Sequence, residues 1–436
     1  MVMKKTLRPW QVDQSLLLPP SVHDFVPSDH SAHFIRDLVC EQLDLSVIVE
    51  SYDEARGNPP YDPRMMTSLL LYGYSRGVYS SRRLARGCEE RLDFMAVTAL
   101  NRPDFRTISD FRKRHLVALS DLFLQVLSLC QKAGLVELGH VALDGTKIKA
   151  NASKHKAMSY GRMKKAEPDL AAEVSDWLAA AEATDAQEDG EFGSERRGDE
   201  MPEWMATKQA RLEKIREAKA SLEAEAQAEA EEKAQQPKKY RGGRKPKTPP
   251  GTPKDKVQRN FTDPESRIMK GRDGFIQAYN AQAAVDGAHQ VIVVQSLTDN
   301  ASDQGELISL VDGIKANTGR KPREISADTG YCSEANLEAL EQRRIRGYVA
   351  TGRQKHPDGG QDKKRGPRAE AMRKRLRKAG HRSRYRLRKQ IVEPVFGQIK
   401  EARGFRQFLL RGIAKTRAEW ALLCTVHNIL KLAKTA

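Results

Sequence analysis

Residues 140–153 read HVALDGTKIKANAS, and the reading of this stretch decides the fold. His140-Val-Ala-Leu is a short apolar run suited to a buried strand, and it ends on an acid, Asp144. A second run of the same kind, Glu324-Ile-Ser-Ala, ends on Asp328 at the turn Thr329-Gly-Tyr. Between the two lie Phe275–Asp286 and Gln290–Leu297, joined by Gly287-Ala-His, a hairpin pattern with a short glycine-containing turn. A helix is predicted from Asp303 to Ile314, a second one after Ser333 as N-cap, and a fifth short strand at Gly347–Thr351. A basic stretch to Lys389 and further helical patterns complete the chain. This order predicts an α/β (mixed α+β) fold, a mixed sheet flanked by helices.

Working outward, residues 1–135 carry apolar residues at three- and four-residue spacing and read as an all-α domain. Its middle is basic, and Thr107 or Ser109 is the expected cap of the helix in Thr107-Ile-Ser-Asp-Phe-Arg-Lys-Arg. Such a domain could grip DNA, and a solvated helical bundle accounts for the composition equally well. Residues 155–258 read as a charged helical insertion. An amphipathic helix with Leu170, Val174, Trp177 and Leu178 is followed by a loop at 188–195. A second helix at 203–234 has Met205, Leu212, Ile215 and Leu222 near heptad positions, so a helical hairpin or coiled coil is expected. Residues 235–258 are rich in Pro, Gly and Lys. They read as a basic linker, and RGGRKPK also resembles a minor-groove hook. The expected domains are therefore 1–135, then 136–154 with 259–436, interrupted by 155–258.

The formal net charge is +17 over 436 residues, which favours a polyanionic partner such as double-stranded DNA. The densest basic region runs from Lys363 to Lys389 and is opposed only by Glu370. Five scattered cysteines without a CxxC pair read as thiols in a reducing compartment. The N-terminal residues lack the apolar core of a signal peptide, and no eighteen-residue apolar stretch occurs. A cytoplasmic, DNA-associated protein with no membrane partner is expected.

Asp144 and Asp328, held at strand ends, suit a hard cation: Mg²⁺ takes oxygen ligands and needs few carboxylates. Two such ions, with Mn²⁺ able to replace Mg²⁺, can serve both the attacking and the leaving oxygen of an in-line displacement. Either acid alone reads as a turn residue. A third candidate is Glu393, in Arg388-Lys-Gln-Ile-Val-Glu-Pro-Val-Phe-Gly-Gln-Ile-Lys400. On a regular helix Lys389, Glu393 and Lys400 share a face, although Pro394 favours a helix start at Glu393. The ordinary alternative is an exposed ion-pair ladder. Asp286, Asp299 and Asp303 compete; a hairpin turn explains Asp286 and a helix cap explains Asp303, and all three rank below Asp328 because none is followed by a match to DTGY. Lys147 and Lys149 are candidate phosphate contacts.

LDGTKIKANAS, SADTGY and VEPVFGQIK, in that order, resemble the three active-site motifs of DDE-type transposases of bacterial insertion sequences. NFTDPESRIMK and GFIQAYNAQAAVD look like segments of the same family. The helical front end with RTISDFRKRH is similar to its InsH-type N-terminal domain. The resemblance implies an RNase H-like catalytic domain and metal-dependent DNA cleavage and strand transfer at terminal inverted repeats and target DNA. It also implies a homodimer in a synaptic complex, and Asp144, Asp328 and Glu393 as metal-binding catalytic residues. Tyr385, Lys389 and Lys400 fall at or near the family's Tyr, Arg and Lys positions, with Arg388 beside them. Tyr385 is one residue farther from Glu393 than the pattern asks, and Lys389 stands where Arg is usual. An RNase H-like nuclease without strand transfer and a catalytically silent DNA-binding descendant are the alternatives.

Overall fold

The computed structural model describes residues 21–52, 59–192, 203–235, 248–271, 274–352, 366–379 and 383–435. The RGGRKPK stretch, Lys363 to Arg365, Arg382 and the side chains of Trp177, Leu178 and Met205 lie outside the described residues. The chain divides into two compact units, Met1–Ala133 with Thr425–Ala436, and Gly134–Cys424. The first unit thus includes the C-terminal end of the chain, which was expected in the other domain.

The first unit is helical: α1 Ser31–Glu41, α2 Ser46–Val49, α3 Pro63–Ser75, α4 Ser81–Glu90, α5 Leu92–Thr98, α6 Phe105–Arg114 and α7 Leu116–Lys132. Helix α3 opens with Asp62, whose side chain accepts from the Arg64 amide, and with Pro63 in its first turn, where no amide hydrogen is needed. Every residue of α3 from Met66 to Ser75 is buried, which makes it the hydrophobic centre of this unit. The cap of α6 is Asp104, not Thr107 or Ser109; its carboxylate accepts from the Arg106 amide at 2.7 Å. A carboxylate in extended backbone just ahead of the helix outcompetes hydroxyls already inside it. Arg82, Arg83, Arg86, Arg106, Lys113 and Arg114 are exposed. Arg112 is instead buried, donating to the Tyr79 carbonyl at 2.9 Å and to the Tyr74 hydroxyl.

The second unit is built on a six-stranded mixed sheet. Its strands are β1 His140–Lys149, β4 Arg267–Gly271, β5 Gly274–Asp286, β6 Ile292–Thr298, β7 Glu324–Ala327 and β8 Arg346–Val349. The order is β4-β5-β1-β7-β8, with β6 also on β5. The pairs of β5 with β1, β4 and β6 are antiparallel, and β1–β7 and β7–β8 are parallel. Helices α10 Glu306–Thr318, α11 Glu334–Gln342, α12 Pro367–Ala379, α13 Leu387–Gly397 and α14 Ile413–Leu432 follow the later strands, α14 running on into the first unit. This is the mixed, helix-flanked sheet expected of an RNase H-like domain.

Asn260 and Asp263 of NFTDPES tie the rim of the sheet together. The Asn260 side chain accepts from the Thr262 and Asp263 amides and donates to the Ser153 carbonyl. Asp263 accepts from the Tyr279 hydroxyl at 2.8 Å and from the Gly412 amide.

The insertion is two helices, α8 Tyr160–Phe192 and α9 Glu203–Gln235, closed at the base by a ribbon of β2 Ala157–Ser159 with β3 Gln258–Asn260. Met158, Tyr160, Met163, Ile215, Ala218 and Leu222 form its apolar cluster, and Val174 meets Leu212 farther out. Residues 188–192, expected to open a loop, are helical, since α8 continues to Phe192, and residues 193–195 of that expected loop lie outside the described residues. Acidic helix formers there carry the helix past the expected glycine break.

Candidate active site

Asp144 was expected at a strand end and lies instead in mid-strand. Strand β1 pairs with β5 from Val141 to Lys149, while β7 covers it only from His140 to Ala142. From Leu143 to Ile148 that edge of β1 has no strand partner among the described residues, and Gln407 bridges it again at Lys149, so Asp144 stands where the parallel pairing stops. That leaves a carboxylate held by strand geometry beside a gap in the sheet. Its side chain is 14% exposed, and Oδ2 accepts from Arg388 Nη1 at 2.6 Å. Burial pushes the Asp144 carboxyl up to about 7; Arg388 opposes this, and the charges of Asp328 and Asp303 add to it.

Asp328 follows β7 directly and caps the tight turn Thr329–Tyr331, with Oδ1 accepting from the Gly330 amide at 2.8 Å. The turn role coexists with a negative charge that helps to raise the Asp144 carboxyl.

Glu393 sits inside α13, not at a helix start, because the helix already begins at Leu387. Pro394 therefore lies in the helix interior and cannot donate to the Gln390 carbonyl. The Gln290 side chain from the β5–β6 turn fills that vacancy, donating to the Gln390 carbonyl at 2.9 Å. Glu393 is 46% exposed and accepts from Arg388 Nη2 at 3.2 Å. One guanidinium thus bridges Asp144 and Glu393. Tyr385 interacts with the same guanidinium.

The expected face of Lys389, Glu393 and Lys400 does not form. Lys389 is exposed and has no bond to either acid, and the arginine of the site is its neighbour Arg388. Tyr385 and Arg388 keep a three-residue spacing, and both lie one residue farther from Glu393 than the family pattern asks. Lys400 falls in a π turn, Gln398–Ala402, that changes the helical register. It is half-buried, donates to Thr146 Oγ1 at 2.9 Å and to the Lys147 carbonyl, and is pushed below its ordinary pKa by burial. Lys149 is exposed at the end of β1, whereas Lys147 is largely covered and paired with Asp303 at 3.1 Å.

Asp303 was read as a helix cap and is not one. The cap position of α10 is Gly305, without a side-chain bond. The Asp303 carboxylate turns to the sheet, where Oδ1 accepts from Asn280 and Gln282 at 2.7 Å each and from Lys147. Alternation along paired strands places Gly145, Lys147, Asn280 and Gln282 on one face. Asp144 and Thr146, with Arg388 and Lys400 above them, lie on the other. A signal for Asp303 was present in the sequence: Asn280 and Gln282, two buried amides two residues apart among Tyr279, Ala281 and Ala283, need a polar partner.

All three expected acids are oxygen donors of the kind Mg²⁺ or Mn²⁺ takes. Among the described residues, no three His, Cys, Asp or Glu side chains are grouped tightly enough to hold a metal ion. The Arg388 guanidinium stands between two of the acids as a cation in their midst. The donor set and this stand-in charge fit a divalent cation.

Residues 20–114 match the family described as Transposase domain (DUF772), and residues 228–429 the one described as Transposase DDE domain. No curated protein and no solved structure matches the chain. The second matched region contains Asp303, Asp328, Arg388 and Glu393, and Asp144 precedes it. With one transposase domain following the other and the two later acids inside the second, the chain belongs to the DDE-type transposases of the insertion-sequence kind.

Proposed function

We propose that this transposase binds the terminal inverted repeats of its element and cuts and rejoins DNA at Asp144, Asp328 and Glu393. The observation that carries the reading is the Arg388 bridge. Asp144 and Glu393 are 249 positions apart in the chain and converge on one cation. Residues with no local reason to meet, and with a like charge nearby at Asp328, mark a functional arrangement. The three acids would hold Mg²⁺ or Mn²⁺, as two ions, whose Lewis acidity serves the attacking and leaving oxygens of a phosphodiester. Asp144 is held in a rigid strand and Asp328 by a tight turn. Arg388, Tyr385 and Lys400 border the acids, and the Arg388 guanidinium would offer its donors to phosphate oxygens of bound DNA. Lys147, Lys149 and Lys389 complete the proposed DNA contacts, Lys149 and Lys389 from exposed positions. The working assembly is a homodimer synapsing two element ends.

The test is cleavage of a plasmid carrying the gene with its native flanking DNA, in Mg²⁺ and in EDTA, by wild type and Asp328→Asn. Discrete metal-dependent breaks at the flanks, lost in the variant, are expected. Binding without breaks would support a catalytically silent descendant. Breaks without joining of pre-cut ends would support a plain nuclease.

A further inference from the structure

Gly145, directly after Asp144, and Gly330, two residues after Asp328, have a common neighbour. A Cβ on Gly145 would lie 2.3 Å from Gln282 Nε2 and 2.8 Å from Asp303 Oδ1. A Cβ on Gly330 would lie 2.9 Å from Asp303 Oδ2 and 3.0 Å from Asp328 Oδ1. Neither glycine has a left-handed backbone, so the side chain's absence, not a turn conformation, is what the site uses. Both glycines therefore leave room for one carboxylate. The second distance pair also places Asp303 Oδ2 within about 6 Å of Asp328 Oδ1.

Asp303 is held in that space from one side. Oδ1 has three side-chain donors, Lys147, Asn280 and Gln282, and no hydrogen bond to Oδ2 is formed among the described residues. Gln282 is itself fixed by the Tyr331 hydroxyl, which donates to its Oε1 from the turn that Asp328 caps. The network thus links β1, β5, the start of α10 and the Asp328 turn through one acid.

We infer that Asp303 is a fourth acidic group of the site, a positioning residue whose fixed negative charge behind Gly145 and Gly330 strengthens cation binding at Asp144 and Asp328. This rests on the proposed metal-dependent reading of those two acids. Asp303 need not touch the cation. A carboxylate within about 6 Å of a ligand oxygen, shielded from bulk water by the sheet, contributes through charge and by holding the two motif turns in register.

The test is Mn²⁺ binding to the DNA-free full-length protein, followed by electron paramagnetic resonance, for wild type, Asp144→Asn, Asp303→Asn, Lys147→Met and Asp312→Asn. Asn keeps the size of Asp303 and one acceptor oxygen while removing the charge. On the order of tenfold weaker Mn²⁺ binding is expected for Asp303→Asn, with the Mg²⁺ concentration for half-maximal cleavage raised by a similar factor. Lys147→Met, which leaves the Asp303 charge in place and unneutralised, is expected to bind Mn²⁺ at least as tightly as wild type. Asp312→Asn removes a charge from the exposed face of α10, where Asp312 pairs with Arg343, and should change nothing. If Asp303→Asn does not fold, the Asp303→Asn/Lys147→Met double variant leaves no unpaired charge and must still bind Mn²⁺ weakly. Equal weakening by Lys147→Met and Asp303→Asn would mean that the pair is only a strut, and would overturn the inference. Wild-type affinity in Asp303→Asn, with binding abolished in Asp144→Asn, would also overturn it and leave the proposed function standing. No Mn²⁺ binding by wild type would overturn both.

Discussion

Arg388 and Lys389 are adjacent and both cationic, yet only one of them meets the acids. Helical geometry turns neighbouring side chains by about 100°, so one residue faces β1 and the next faces solvent. Arginine's planar fork can span two carboxylates at once, which a lysine ammonium cannot do in the same way. Arg388→Ala should therefore lower strand cleavage by about 100-fold or more. Lys389→Ala should change it only a few-fold, and a reversed ranking in the plasmid assay would reject the assignment. A second residue-scale consequence concerns His140, which is buried against Ser326 at 3.0 Å and Glu324 at 3.4 Å. Burial lowers its pKa from the ordinary 6.5, outweighing the pull of Glu324. The unfolded chain thus takes up this proton at a higher pH than the folded one. The stability is fully present above pH 6.5 and is lost as pH falls through the folded value. Melting temperatures between pH 7.5 and 5 should fall more steeply for wild type than for His140→Gln; parallel curves would assign the acid sensitivity elsewhere.

Among the elements, α13 is the least regular and carries the most chemistry. An interior proline beside Glu393 leaves one carbonyl without its helical donor, and the β5–β6 turn supplies Gln290 in its place. Gln290→Ala should cost about 1 kcal/mol of stability in the wild-type background. In a Pro394→Ala background the restored amide can reach the Gln390 carbonyl, so the same change should cost close to nothing. A double-mutant cycle by chemical denaturation reads this coupling directly; additive costs would show that Gln290 acts through some other bond. Strand β1 teaches a related lesson. The apolar run His140–Leu143 was legible as a strand, but the end expected at Asp144 was not its end. The polar continuation Gly145–Lys149 pairs with β5 just as fully, because the ladder is made by the backbone, and Lys147, Asn280 and Gln282 on its polar face meet on Asp303.

For the whole molecule, charge is the property most easily tested. Helix α12 presents Lys374, Arg375, Arg377 and Lys378 to solvent, within the segment read from sequence as a DNA-backbone contact. Replacing Lys374, Arg377 and Lys378 by Gln should reduce the log–log salt slope of DNA binding by up to about 3, roughly 0.9 for each phosphate that is no longer neutralised. An unchanged slope would place the DNA on another surface. The order of β1, β5, β6, β7 and β8 with the helices among them, the charged insertion and the family were legible in the linear chain, whereas β4 was not, and the three acids were named there as expectations. Each depends on local apolar periodicity or on short motifs, which neighbouring residues alone specify. Tertiary structure alone decided which cation stands among the acids, that Glu393 lies inside a helix, and that Asp303 belongs beside Asp144 and Asp328. The reason is physical: a side chain's partners on another strand or helix are set by register and by which face it occupies. A one-residue change in helical position, or the absence of a Cβ at a glycine, redirects those partners without altering the local pattern from which the chain is read.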